Sequence, residues 1–252
     1  SFSVGGAPSF PNIFNMFSQN KPADSKDSSG DKNSKKEKKQ KKGRKKVFRD
    51  SKYVIFDLDG TIADPKVGIT TSAKYALCEM GYGHLADQDL TWMIGPPLAD
   101  TFMKITGCDR NEAQLLIDKY RERYSVKGVH ENIIYPGIKS LLEVLKYSGA
   151  KLAIASSKPT LFVEQILDDF DIKKYFDVIQ GSDMAGKHVE KEDVLTFALV
   201  KLSIAKIEKQ TVIYDKEKIA KATMVGDRKF DAIAAKKAGL KAIAVTYGYA
   251  AE

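Results

Sequence analysis

Five short apolar runs constrain this chain more than any other feature. Each ends abruptly at a polar or glycine-bearing loop, and helical spacing fills the intervals between them. The runs are residues 53–56, 151–155, 176–180, 222–225 and 241–245. They lead into Asp57-Leu58-Asp59-Gly60, Ser156-Ser157, Gly181-Ser182-Asp183, Gly226-Asp227 and Thr246-Tyr247-Gly248. Short continuous apolar stretches bounded by turn residues suit strands buried on both faces. Between them, Ile138, Leu141, Leu142 and Leu145 recur at i, i+3, i+4 and i+7, opened by Pro136-Gly137 and stopped by Gly149. Residues 161–170, the face of Val194, Phe197, Ala198 and Leu202, and residues 230–238 before Gly239 give three further helices. Strands alternating with helices predict an α/β fold, a parallel sheet with helices on both faces. In such a sheet the loops beyond the carboxyl ends of the strands build the site.

Residues 66–130 interrupt this rhythm. Ile69, Ala73, Ala76, Leu77 and Met80 predict one amphipathic helix, and Leu116, Tyr120 and Tyr124 mark another; no strand is evident before Pro136. The stretch is too long for a simple crossover, so it is read as a small helical cap domain inserted after the first strand. An ordinary helical layer of the core is the plainer alternative. The α/β core is then residues 51–65 and 131–252. Residues 205–221 read as a surface insertion, with Val212-Ile213-Tyr214 as a candidate extra strand.

The charge is confined to one end. Residues 1–50 hold 13 Lys/Arg against 5 Asp/Glu and carry the whole formal charge of +8; the remaining 28 basic and 28 acidic residues cancel. From Asn20 to Lys46 the segment lacks large apolar side chains, so it cannot bury enough surface to offset its ordering entropy and is expected to be a disordered tail. Its polybasic run, residues 35–46, is open to several readings: a solvated tail, a nuclear address, an arm contacting nucleic acid, or an anionic-membrane contact. No apolar run approaches the ~18 residues of a transmembrane helix. Two cysteines, Cys78 and Cys108, argue against a disulfide scaffold. Pro11 and Asn12 and the lack of a basic opening argue against a secretory signal. A cytoplasmic location is expected, with nuclear or organellar addresses left open by the tail.

The chemistry lies at the strand ends. On an extended chain Asp57 and Asp59 point the same way, so both carboxylates are expected to face one spot, with Gly60 allowing a sharp turn and Thr61 adding a hydroxyl. Taken alone, Asp59-Gly60 is an ordinary turn pair. Ser157 or Asp227 alone would be a helix cap, and Lys191 a solvated lysine. Their coincidence at converging loops favours one site.

Together, Asp57-Leu58-Asp59-Gly60-Thr61, the hydroxyls of Ser156 and Ser157, the later lysine and Gly226-Asp227-x-x-x-Asp231 resemble the haloacid dehalogenase superfamily of phosphohydrolases, with its Rossmann-like core. Ile94-Gly95-Pro96-Pro97-Leu98 and Asp64-Pro65-Lys66-Val67-Gly68-Ile69 resemble its phosphoglycolate phosphatase branch, whose helical cap occupies this position. The resemblance implies a phosphatase of a small phosphorylated metabolite, with a 5'-nucleotidase as the alternative. A second alternative is a phosphatase-fold protein whose tail binds nucleic acid or a larger assembly.

It also implies roles. Asp57 would attack phosphorus, needing no separate base because an unperturbed Asp ionises near about 3.9. Asp59 would protonate the leaving oxygen and then deprotonate the hydrolytic water. Asp57, the Asp59 carbonyl and Asp227 would hold Mg²⁺, with Asp231 holding a water or orienting the loop. Ser156 and Lys191 would complete the catalytic set, and Gly60, Thr61, Ser157 and Lys158 would bind substrate. Lys187 competes with Lys191, which lacks the proline often found after this lysine in relatives. Lys66, Tyr75, Arg121 and Arg123 are candidate cap contributors to the pocket.

Overall fold

The computed structural model describes residues 51–185 and 188–250. The tail with its polybasic run, and Lys187, lie outside the described residues.

Five parallel strands form the central sheet: β1 (Tyr53–Phe56), β4 (Lys151–Pro159), β5 (Val178–Ser182), β8 (Ala222–Gly226) and β9 (Lys241–Ala244), in the order β5-β4-β1-β8-β9. Tyr-Val-Ile-Phe is a strong strand sequence, and its last three residues are buried. Full burial of each such side chain contributes about 1.5–3 kcal/mol. The pleat divides the strand between two cores. Val54 and Phe56 face one, with α4 (Ile138–Tyr147) and α5 (Thr160–Asp169). Ile55 faces the other, with α6 (Lys191–Lys201) and α8 (Lys229–Ala238). Helices thus cover both faces.

The register positions the site. Phe56 pairs with Ile154 on one side and with Val225 on the other. The residues just beyond these three paired positions therefore lie side by side, and β4 itself runs on through Ser156 and Ser157, expected to end it, as far as Pro159. The chain runs outward from β1 through β4 to β5 and returns to the opposite side at β8. The reversal leaves a crevice at the carboxyl ends beside β1.

The helical segment holds α1 (Lys66–Glu79), α2 (Leu98–Thr106) and α3 (Arg110–Tyr124). Helix α2 is not marked by the sequence spacing; Gly107, at φ +75°, ends it. The sequence shows no strand before Pro136, whereas β2 (Ala63–Asp64) and β3 (Ile133–Ile134) form a two-residue antiparallel ladder. Pairs this short carry no periodicity. The ladder ties together the two crossings where the chain enters and leaves the helices. Within residues 205–221, β6 (Ala205–Glu208) and β7 (Thr211–Tyr214) form a hairpin separate from the main sheet, followed by α7 (Lys216–Ile219).

Candidate active site

Asp57 is the first residue beyond β1, and its backbone N–H still bonds the Val225 carbonyl at 2.9 Å. This bond fixes the side chain at the seam between β1 and β8. Lys191, the first residue of α6, extends across the strand ends. Its Nζ lies 2.7 Å from Asp57 Oδ1 and 3.0 Å from Asp231 Oδ1, and donates to the Ala155 carbonyl at 3.0 Å. All three side chains are buried. Burial alone would lower the lysine's pKa; Asp57 and Asp231 override it and raise it above the ordinary lysine range.

Asp57, Asp227 and Asp231 each offer an oxygen within 4.8 Å of the others. Burial first, then the neighbouring Asp231 and Asp227, push Asp57 up to about 8 against the pull of Lys191. Burial likewise pushes Asp227 up to about 6, opposed by the Tyr249 N–H that donates to its Oδ2 at 2.6 Å. The other oxygen, Asp227 Oδ1, is buried with no hydrogen-bond partner. Three hard oxygen donors with one buried lone-pair set unspent fit a divalent cation such as Mg²⁺.

Glycines make the convergence sterically possible. Gly60 adopts φ +77°, and a Cβ there would stand 2.2 Å from Asp227 Oδ2. At Gly226 a Cβ would stand 2.2 Å from Asp231 Cγ.

Asp59 lines one small cavity with Asp57, but its carboxylate takes a different partner. The alternation of side chains holds only while the strand continues, and β1 stops at Phe56. The Leu58 carbonyl accepts from the N–H groups of Thr61, Ile62 and Ala63, so the chain curls at once. The Asp59 carboxylate lies outside the three-aspartate group and pairs instead with Lys158, Nζ to Oδ1 at 2.9 Å. Lys158, expected to bind substrate, spends its charge there and donates to the Tyr124 hydroxyl at 2.6 Å.

A small cavity of about 90 Å³ is lined by Asp57, Asp59, Ser156, Ser157, Lys158 and Lys191, among others. It adjoins a larger one of about 500 Å³ beneath the helical segment, whose walls include Ile69, Ile117, Tyr120, Arg121 and Phe162. Asp59 lines both. Gly60 and Thr61 lie outside both linings: Gly60 is packed against Asp227, and Thr61 Oγ1 is buried without a hydrogen-bond partner. Of the four suggested cap contributors, only Arg121 lines the cavity. Arg123 forms a two-pronged ion pair with Glu131, Tyr75 donates to Glu122, and Lys66 is exposed.

Three site neighbours, Tyr124, Arg228 and Tyr249, carry no sequence signal of their role. Tyr124 looked like one more core position in an i, i+4, i+8 stripe. Arg228 bonds the Ile94 carbonyl and so links the loop after β8 to the helical segment. Tyr249 reaches Asp227 from the end of the described chain. Arg228 lies inside the Gly226–Asp231 motif, the only signal that marked it.

A family model described as haloacid dehalogenase-like hydrolase matches residues 54–245. The 5'-nucleotidase of Pseudomonas aeruginosa is 36% identical over 201 residues, spanning 79% of this chain and 84% of the relative. The phosphoglycolate phosphatase of Aquifex aeolicus is 32% identical over 206 residues, spanning 79% and 86%. Among solved structures, a predicted phosphatase from Clostridium acetobutylicum superposes with a TM-score of 0.71 at 40% identity, covering 80% of this chain and 87% of the other. Protein tyrosine kinase A of Mycobacterium tuberculosis gives 0.63 at 34% identity, covering 80% and 86%.

Proposed function

The chain belongs to the haloacid dehalogenase-like hydrolase family and is a phosphatase of that family, and from this premise we propose that it hydrolyses the phosphate monoester of a small metabolite through a phosphoryl group carried on Asp57. The observation that carries the proposal is the buried carboxylate at the end of β1, held 2.7 Å from Lys191 and beside Asp227 and Asp231.

Asp57 is the nucleophile and accepts the phosphoryl group. Lys191 neutralises charge on the transferring group and fixes the attacking carboxylate. Ser156 donates to a phosphoryl oxygen. Asp59 protonates the departing oxygen, then removes a proton from the water that releases phosphate. Asp57, Asp227 and Asp231 would hold Mg²⁺, with the Asp59 carbonyl as a further ligand. When bound, the ion supplies the positive charge that lets a phosphate dianion approach carboxylates. Residues 66–130 act as a cap that excludes water.

The larger cavity favours a second reading of the substrate. About 500 Å³ walled by Ile117, Tyr120 and Phe162 is more than a two-carbon acid fills, and it suits the flat apolar face of a nucleoside. The 36% identity to a protein named 5'-nucleotidase points the same way. Assaying phosphoglycolate and nucleoside monophosphates with Mg²⁺, and again with chelator, separates the readings. Asp57→Asn abolishes turnover of an aryl phosphate with the fold intact; undiminished turnover would remove the mechanism. A phosphatase fold kept only for binding nucleic acid through the tail would turn over nothing, either as the full chain or as residues 51–252.

A further inference from the structure

We propose that Lys158 and Tyr124 are positioning residues for Asp59, so that the aim of the acid is set from the helical segment rather than from the core alone. The proposal rests on the reading of Asp59 as the acid that protonates the leaving oxygen.

Three elements meet at this point. Asp59 follows β1, Lys158 belongs to β4, and Tyr124 ends α3. Among the described residues, Lys158 is the only cation paired with the Asp59 carboxylate. The lysine is itself pinned: its side chain is 6% exposed, it donates to the Tyr124 hydroxyl at 2.6 Å, and its Nζ stands 5.1 Å from the centre of the Tyr124 ring. Tyr124 is immobilised in turn, stacked on Tyr120 at 5.1 Å and met edge-on by Phe162 at 5.2 Å. A long side chain that would otherwise sample many rotamers is thus held in one.

The position suits this task. Asp59 stands where the small cavity beside Asp57 opens into the large one. A substrate with its phosphoryl group in the first and its organic part in the second places the scissile oxygen between them. As the bond from phosphorus to that oxygen breaks and the bond to Asp57 forms, the Asp59 carboxyl gives its proton to the oxygen. The alcohol leaves neutral, and the new carboxylate remains paired with Lys158. Solvent water later restores the proton through the hydrolytic step.

The rival role for Lys158 is direct phosphate binding, and leaving-group dependence distinguishes the two. A lost phosphate ligand slows all monoesters alike. A misaimed acid slows mainly those whose leaving group needs a proton. The experiment measures kcat/KM of the full chain with Mg²⁺ on para-nitrophenyl, phenyl and ethyl phosphate, for Asp59→Asn, Lys158→Met and Tyr124→Phe. Losses of about 100-fold on ethyl phosphate and about threefold on para-nitrophenyl phosphate are expected for Lys158→Met, with the same trend at smaller size for Tyr124→Phe. Tyr124→Phe keeps the stacked ring, so it decides the matter if Lys158→Met does not fold. Equal losses on all three substrates, or none, in these two variants would overturn the proposal. If Asp59→Asn is steep while both are flat, only the positioning role falls. If Asp59→Asn is itself flat, the acid assignment falls, and the proposal with it.

Discussion

Replacing Lys191 with methionine isolates the interaction on which the site is built. The lysine supplies a buried positive charge to Asp57 at 2.7 Å and Asp231 at 3.0 Å, and a hydrogen bond to the Ala155 carbonyl. Methionine fills similar volume, so the loss is electrostatic rather than a cavity. Removing one partner of a buried pair costs about 3–5 kcal/mol, because the remaining charge is left uncompensated. At about 2 kcal/mol per molar urea, the unfolding midpoint of metal-free protein at about pH 9, where Asp57 is ionised, should fall by about 1.5–2.5 M. In an Asp57→Asn background one of the two stranded carboxylates is already neutral, so the same substitution should cost clearly less. Activity should fall by about 100- to 1,000-fold, as for removal of a single oxyanion donor. The assay is urea unfolding of the four proteins of the double-mutant cycle. An unchanged midpoint for Lys191→Met, or an equal cost in both backgrounds, would refute the idea that this lysine compensates Asp57.

Other consequences follow from the same geometry. Gly226→Ala puts a methyl 2.2 Å from Asp231 Cγ, so the carboxylate must shift. Overpacking of this kind costs about 1–3 kcal/mol, and calorimetric Mg²⁺ affinity should fall with it. Asp57 and Asp227 are raised from 3.8 to about 8 and about 6, so the metal-free folded state holds protons that the unfolded chain has released. Its stability should therefore fall as pH rises from about 4 to about 8. Mg²⁺ binds the ionised carboxylates, so its effect on the thermal midpoint should be small near about pH 5 and large near about pH 8.5. A Mg²⁺ shift that is flat in pH, read by differential scanning fluorimetry, would contradict both assignments.

Much of this was legible because the central strands are buried on both faces. Tyr53-Val54-Ile55-Phe56 has no polar residue to confuse its period, and the glycine-bearing loops mark its end. The three-aspartate group was legible for a related reason: Asp57 and Asp227 end adjacent strands, and Asp231 lies one helical turn beyond Asp227. The fate of Asp59 was not legible. Its side chain is turned by a curl that begins with the Leu58 carbonyl, and its partner Lys158 lies almost a hundred residues away. Tyr124 was hidden because a phenol in an apolar stripe looks like packing until its hydroxyl is seen on an ammonium. The short β2–β3 pair depends on register between segments about seventy residues apart, which no local window records.

The central claim is that Asp57 carries the phosphoryl group in the course of turnover. Acid quenching of the full chain during steady hydrolysis of para-nitrophenyl phosphate, followed by peptide mass mapping, tests it most directly. A phosphorylated peptide containing Asp57, absent from Asp57→Asn, is the expected result. Turnover with no adduct on that peptide, or an adduct that survives in the Asn variant, would contradict the account.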